Sequence, residues 1–121
     1  MRIFKNAWFC RFARKERIDD ATLKDAVDRA EKGSIDADLG GDVIKQRIAR
    51  PGKGKSGGYR CIILFHKEEK AFFVYGFSKS VRENIRPDET DGFKKLARWY
   101  LALSEEQIEA MLKHEDLTEV L

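Results

Sequence analysis

Between positions 47 and 60 the chain reads Arg-Ile-Ala-Arg-Pro-Gly-Lys-Gly-Lys-Ser-Gly-Gly-Tyr-Arg, which holds five Lys or Arg, four Gly and no acid. Glycines let a backbone approach an anion closely, and lysines on a glycine-rich segment can surround a phosphate without packing against one another. The order Gly-x4-Gly-Lys-Ser/Thr is absent, which excludes a P-loop triphosphatase. Further along, Phe77-Ser-Lys-Ser-Val-Arg82 adds Lys79 and Arg82. An antiparallel hairpin of residues 59–65 and 71–77 brings the start of its first strand and the end of its second to one end of the sheet. Lys53, Lys55, Arg60, Lys79 and Arg82 then line one cationic cleft. The plain alternative is a solvated basic turn beside a solvated strand end.

Other chemistries find less support. The acids of the first helices, with Asp36 and Asp38, fall on polar faces and turns rather than in a magnesium-binding pattern, and no metal or cofactor is expected. His66 sits in a turn at the far end of the hairpin and His114 in an acidic tail, which argues against a two-histidine ribonuclease. Cys10 and Cys61 lie among apolar neighbours without ligand spacing, as buried thiols do. The apolar runs at 61–65 and 71–77 are far shorter than the roughly 20 residues of a membrane span. With no secretory-type apolar stretch after Met1, the chain is expected in the cytoplasm. Charge is divided along the chain. Residues 1–82 carry 19 Lys and Arg against 11 Asp and Glu, and residues 83–121 carry 5 against 10, so a basic body suited to a polyanion precedes an acidic tail.

The elements that must position these residues follow from periodicity. Asn6 caps a short helix with Trp8, Phe9, Phe12 and Ala13 at helical spacing, ending near Arg17. Asp19 or Asp20 caps a second, whose stripe is Leu23, Ala26, Val27 and Ala30 and whose stop is Gly33. Residues 35–41 read as turn. Three strands follow at 43–50, 59–65 and 71–77, the last two dense in β-branched and aromatic residues, and residues 2–5 add an edge strand. After Pro87 the helical period returns through Phe93, Leu96, Ala97, Tyr100 and Leu101. Ser104-Glu-Glu-Gln107 then opens a last helix with a capping box. With 42% apolar and 37% charged residues, this is one α+β domain over 1–121: a helical pair at 6–33, a sheet at 43–79 and C-terminal helices at 91–121. The tail from 104 is expected on the helical face, away from the cleft.

The strings Ile35-Asp-Ala-Asp-Leu-Gly-Gly41, Ile44-Lys-Gln-Arg-Ile-Ala-Arg-Pro-Gly52, Gly54-Lys-Ser-Gly-Gly-Tyr-Arg60 and Phe72-Phe-Val-Tyr-Gly-Phe77 with Lys79 resemble the RelE/ParE toxin superfamily, in its HigB-like branch. The resemblance covers nearly the whole chain. It implies a RelE-like, microbial-RNase-like fold: a small twisted antiparallel sheet with helices on one face, a basic cleft on the other, and a C-terminal helical segment. It also implies a toxin that cuts messenger RNA on the ribosome without metal. A cognate antitoxin would silence it, and operator DNA would be met only through the antitoxin complex.

On that resemblance the reaction is attack of a ribose 2′-oxygen on the adjacent phosphate. Lys53 and Lys55 serve as base and phosphate contacts, Arg60 meets the pentavalent phosphorus, and Lys79 and Arg82 meet phosphate or leaving group. Arg47, Arg50, Tyr59 and Phe77 bind RNA, with Tyr59 at the loop edge the exposed candidate for stacking on a base. The tyrosine that RelE carries beside its cleft has no counterpart here, because Tyr100 falls in an apolar stripe. Two other readings share the fold: a ParE-like inhibitor of DNA gyrase, and an inactive relative that binds RNA.

Overall fold

Asn6 ends one element and starts the next. Its backbone is extended and its side chain accepts the Phe9 N–H at 2.8 Å, so the chain leaves β1 (Arg2–Asn6) and enters α1 (Ala7–Glu16) at a single residue. Arg17, left-handed at φ 58°, stops α1. Asp19 caps α2 (Asp20–Glu31) by accepting the Thr22 N–H at 2.9 Å, and Gly33 at φ 88° follows its end. The computed structural model describes residues 1–50 and 54–121, with residues 54–56 described by their backbone.

The rest of the chain is β2 (Ala37–Gly40), β3 (Val43–Arg50), β4 (Gly54–His66), β5 (Lys70–Ser78), α3 (Pro87–Leu101), α4 (Glu105–Lys113) and β6 (Leu117–Glu119). The six strands form one sheet in the order β2-β3-β4-β5-β1-β6, antiparallel throughout except that β1 runs parallel to β5. This is the α+β architecture expected, with four differences. Residues 2–5 are not an edge but lie between β5 and β6. Residues 35–41 contain a strand, closed by a turn with positive φ at Gly40, Gly41 and Asp42. The tail after α4 is extended, because Glu115 at φ 63° breaks the helix and Leu117 then pairs with Asn6.

The fourth difference concerns the faces. Ile44, Ile48, Cys61, Ile63 and Phe73 form one core with Phe9, Leu23 and Val27 of α1 and α2. Alternation sends Val43, Ile62, Leu64, Phe72 and Val74 to the other side, where they pack with Ala97 of α3, Ile108 of α4 and Leu117 of β6. Helices were expected on one face alone, yet a second apolar face of this size left in water would be a large exposed patch, so α3 and α4 cover it. Of the acidic tail, α4 is therefore on the face opposite α1 and α2, a correction to its expected placement, Val120 joins the first core, and β6 forms the edge of the sheet. In the sheet order it lies three strand spacings from β4, about 14 Å. Three of the tail's six acids are occupied there: Arg2 meets Glu105 at 2.8 Å, Glu109 at 3.2 Å and Glu119 at 2.8 Å. Among the described residues no helix is long and apolar enough to cross a membrane.

One glycine sets how closely α1 approaches the sheet. A Cβ at Gly76 would stand 2.5 Å from Cε2 of Phe12. The Phe12 ring has little room to yield, being stacked on Trp8 at 5.3 Å and edge-on to Tyr59 at 5.6 Å. Gly76→Ala is expected to cost about 1–3 kcal/mol by overpacking, measured as a lower urea midpoint at unchanged slope. An unshifted midpoint would mean that α1 slides freely on β5.

Candidate functional site

Strand alternation assembles a cationic surface where β3, β4 and β5 run beyond the start of α3. Arg47 of β3 stands directly opposite Arg60 of β4, and Arg60 stands opposite Phe77 of β5. Lys45 and Tyr75 flank Ile62 one step along the same face. Two like charges opposite each other on antiparallel strands are destabilising, so this row is not what stability alone would select. Asp36 offsets part of it by accepting the Arg47 backbone N–H at 2.7 Å and a guanidinium N–H at 3.3 Å. Burial pushes the Asp36 carboxyl up, but the Arg47 hydrogen bonds and the charges of Arg47 and Arg29 outweigh it and hold the group below its ordinary value.

Arg82 joins the row from the turn after β5. Its Nη1 donates to the Tyr75 hydroxyl at 3.0 Å, its Nε to the Asn84 carbonyl at 2.9 Å and its Nη2 to Glu89. The guanidinium carbon lies 5.8 Å from the Tyr75 ring centre and 5.9 Å from that of Phe77, within cation–π range. Glu89, three residues into α3's first turn, also accepts the Arg86 N–H at 2.8 Å. The hydrogen bonds to Glu89 and Tyr75 raise the Arg82 pKa further, so it stays charged. Lys45 is tied to the same turn, its Nζ donating to Asn84 Oδ1 at 3.1 Å. Asn84 thus bridges Lys45 and Arg82. Burial first, and the Arg60 charge second, push the Lys45 pKa below its ordinary value. The Lys45 amine therefore gives up its proton more readily than a free lysine does.

The expected residues divide as follows. Arg47, Arg60, Phe77 and Arg82 share one face. Phe77 is 5% exposed and forms the floor beneath Arg82 rather than an open stacking surface. Lys79 is exposed in the turn after β5. Lys53 lies outside the described residues, as does the side chain of Lys55. Tyr59, expected at an exposed loop edge, is 2% exposed on the α1–α2 face, where its hydroxyl donates to Glu16 at 2.8 Å. Arg50 lies there too, its guanidinium 5.7 Å from the Tyr59 ring, because it is two residues from Ile48 on β3 and shares its face. Cys61 is buried as expected and its thiol is pushed far up by burial, while Cys10 is only half-buried.

Lys45, Asn84 and Glu89 were missed as site residues. Lys45 had a signal, since it precedes Arg47 by two on a strand and so shares its face. Asn84 and Glu89 had none, because their roles arise from a turn that folds back on the sheet. Among the described residues no group of His, Cys, Asp or Glu is placed to hold a metal ion.

Fold and site together define a class: a small α+β protein whose sheet opens on one side into a cluster of fixed cations suited to a phosphodiester chain. The chain belongs to the RelE toxin family, since the family model described as the RelE toxin of the RelE/RelB toxin–antitoxin system matches residues 1–120. It is therefore a toxin of a toxin–antitoxin pair, with a cognate antitoxin as its partner. Comparison with curated proteins and with solved structures gave no match.

Proposed function

We propose that this toxin is a HigB-like endoribonuclease that cuts messenger RNA on the ribosome without a metal ion, and that it works in the cytoplasm until its antitoxin covers it. The observation that carries this reading is the joint attachment of Lys45 and Arg82 to Asn84 beside Arg60. In the proposed reaction neutral Lys45 takes the ribose 2′ proton and the 2′-oxygen attacks phosphorus. Arg60 and Arg82 stabilise the charge on the pentavalent phosphate. Arg82 is held protonated by Glu89 and Tyr75, so it supplies charge rather than a proton. Protonation of the leaving 5′-oxygen falls to the lysines of the glycine-rich segment, Lys53 and Lys55. The products are a 2′,3′-cyclic phosphate and a 5′-hydroxyl. Operator DNA would be bound by the antitoxin, with this chain as a passenger.

Primer extension on transcripts after brief induction without antitoxin tests the reading. Codon-phased cuts are expected, and intact transcripts with arrested supercoiling by purified gyrase would replace it with the ParE-like reading. The pH dependence gives a finer check. Lysine acts as a base only when neutral, so the rate rises with pH through the Lys45 pKa. Arg60 disfavours protonated Lys45, and Arg60→Gln therefore restores part of that pKa. This variant is expected to lower the rate and also to move the rising limb of the pH–rate profile to higher pH. A lower rate with an unmoved limb would remove Lys45 from the role of base.

A further inference from the structure

The aromatic side chains of α1 are not all used by the core. Trp8 is 38% exposed, although its neighbours Phe9 and Ala13 are buried. Its ring lies 4.6 Å from Tyr75 and 5.3 Å from Phe12, forming a row of three rings along β5. The row runs there because β1 stops pairing at Lys5 opposite Phe73, which leaves the β1 side of β5 without a strand from Val74 onward, while β4 still pairs on the other side. Between this free stretch and α1 is a cleft of about 240 Å³ lined by Trp8, Phe12, Tyr75, Phe77, Val81 and Arg82. Val81, 87% exposed, forms one wall. Lys15 and Glu16 also line it, and the Glu16 carboxylate already accepts the Tyr59 hydroxyl. The cleft is continuous with the cationic site, because Arg82 belongs to both.

We propose that this cleft holds an unpaired RNA base beside the scissile phosphate, with Trp8 as its stacking surface. The inference rests on the endoribonuclease reading and adds a substrate subsite to it. An aromatic row that ends at an arginine matches the two parts of a nucleotide: the base meets a ring, and the phosphate meets the guanidinium. It supplies the stacking that neither buried Tyr59 nor buried Phe77 offers. Stacking on a ring is tolerant of base identity, so Trp8 contributes affinity and position more than sequence choice.

The test uses the full chain carrying Trp99→Phe, which leaves Trp8 as its sole tryptophan. The probe is a short single-stranded RNA with methylated 2′-oxygens, so that it binds without being cut, and binding is followed independently by the anisotropy of a 5′ dye. Trp8 emission is expected to be quenched on binding. The quench should be lost when one base is replaced by an abasic site of equal charge. Trp8→Ala should weaken binding about tenfold or more, with Trp8→Phe retaining most of it. RNA binding with unchanged Trp8 emission overturns the subsite and leaves the endoribonuclease reading standing. A chain that binds no RNA in the titration and leaves transcripts intact on the ribosome overturns both. The emission titration needs only the native Trp8, so it decides the matter even if Trp8→Ala fails to fold.

Discussion

Lys45→Gln is expected to slow RNA cleavage by about 10²–10⁴-fold, the usual contribution of a positioned general base, while RNA affinity falls far less. Glutamine keeps an N–H to donate to Asn84 Oδ1, so the bridge through Asn84 to Arg82 survives. What is lost is a group that can take a proton. Lys45→Arg separates charge from basicity, because arginine keeps the positive charge but does not give up its proton in the working range. Both variants should be slow, and for the same reason. Single-turnover cleavage measured beside RNA binding checks this, and an Arg variant as fast as the parent would show that Lys45 contributes charge alone.

Gln46→Leu is expected to destabilise the fold by about 2–4 kcal/mol, the largest effect on stability among the single changes considered. Gln46 is fully buried in β3, and its amide joins three segments of chain. Oε1 accepts the Asp36 N–H at 2.7 Å, and Nε2 donates to the carbonyls of Ala26 at 3.0 Å and Ser34 at 3.1 Å. Leucine has a similar volume and gains apolar burial, which offsets part of the loss. It still removes the side-chain partner of the Asp36 N–H and of the Ala26 and Ser34 carbonyls, the Ala26 bond being fully buried. The change also frees residue 36, whose carboxylate holds Arg47, so RNA cleavage should fall with stability. Urea unfolding measures the first effect. A midpoint close to the parent's would mean that the 34–36 segment finds other partners.

Local signals were legible where neighbours within four residues decide the outcome. Asn6, Asp19 and the Ser104–Gln107 box cap helices as their types imply, since a cap is satisfied by N–H groups two or three residues away. The apolar stripes of α2 and the dense runs of β4 and β5 likewise became core. The cationic stretch was legible as a class of chemistry, because a polyanion surface needs charge and glycine whatever the fold around it. Strand alternation was the signal left unused. Tyr59 and Arg60 are adjacent on a strand and so must face opposite sides, which separates a buried phenol from a site arginine.

By itself, then, the sequence determined the helix ends, the central strands and the presence of a basic, glycine-rich surface, all set by short-range bonding and periodicity. The tertiary structure alone decided that β1 inserts beside β5 rather than at an edge, because its partner is almost 70 residues away and no local pattern names it. The same holds for the short strands β2 and β6, whose hydrogen bonds are worth nothing until a neighbour is in place. It decided too that Asn84 and Glu89 enter the site. A turn such as 82–89 acquires a role only when the sheet it folds against exists.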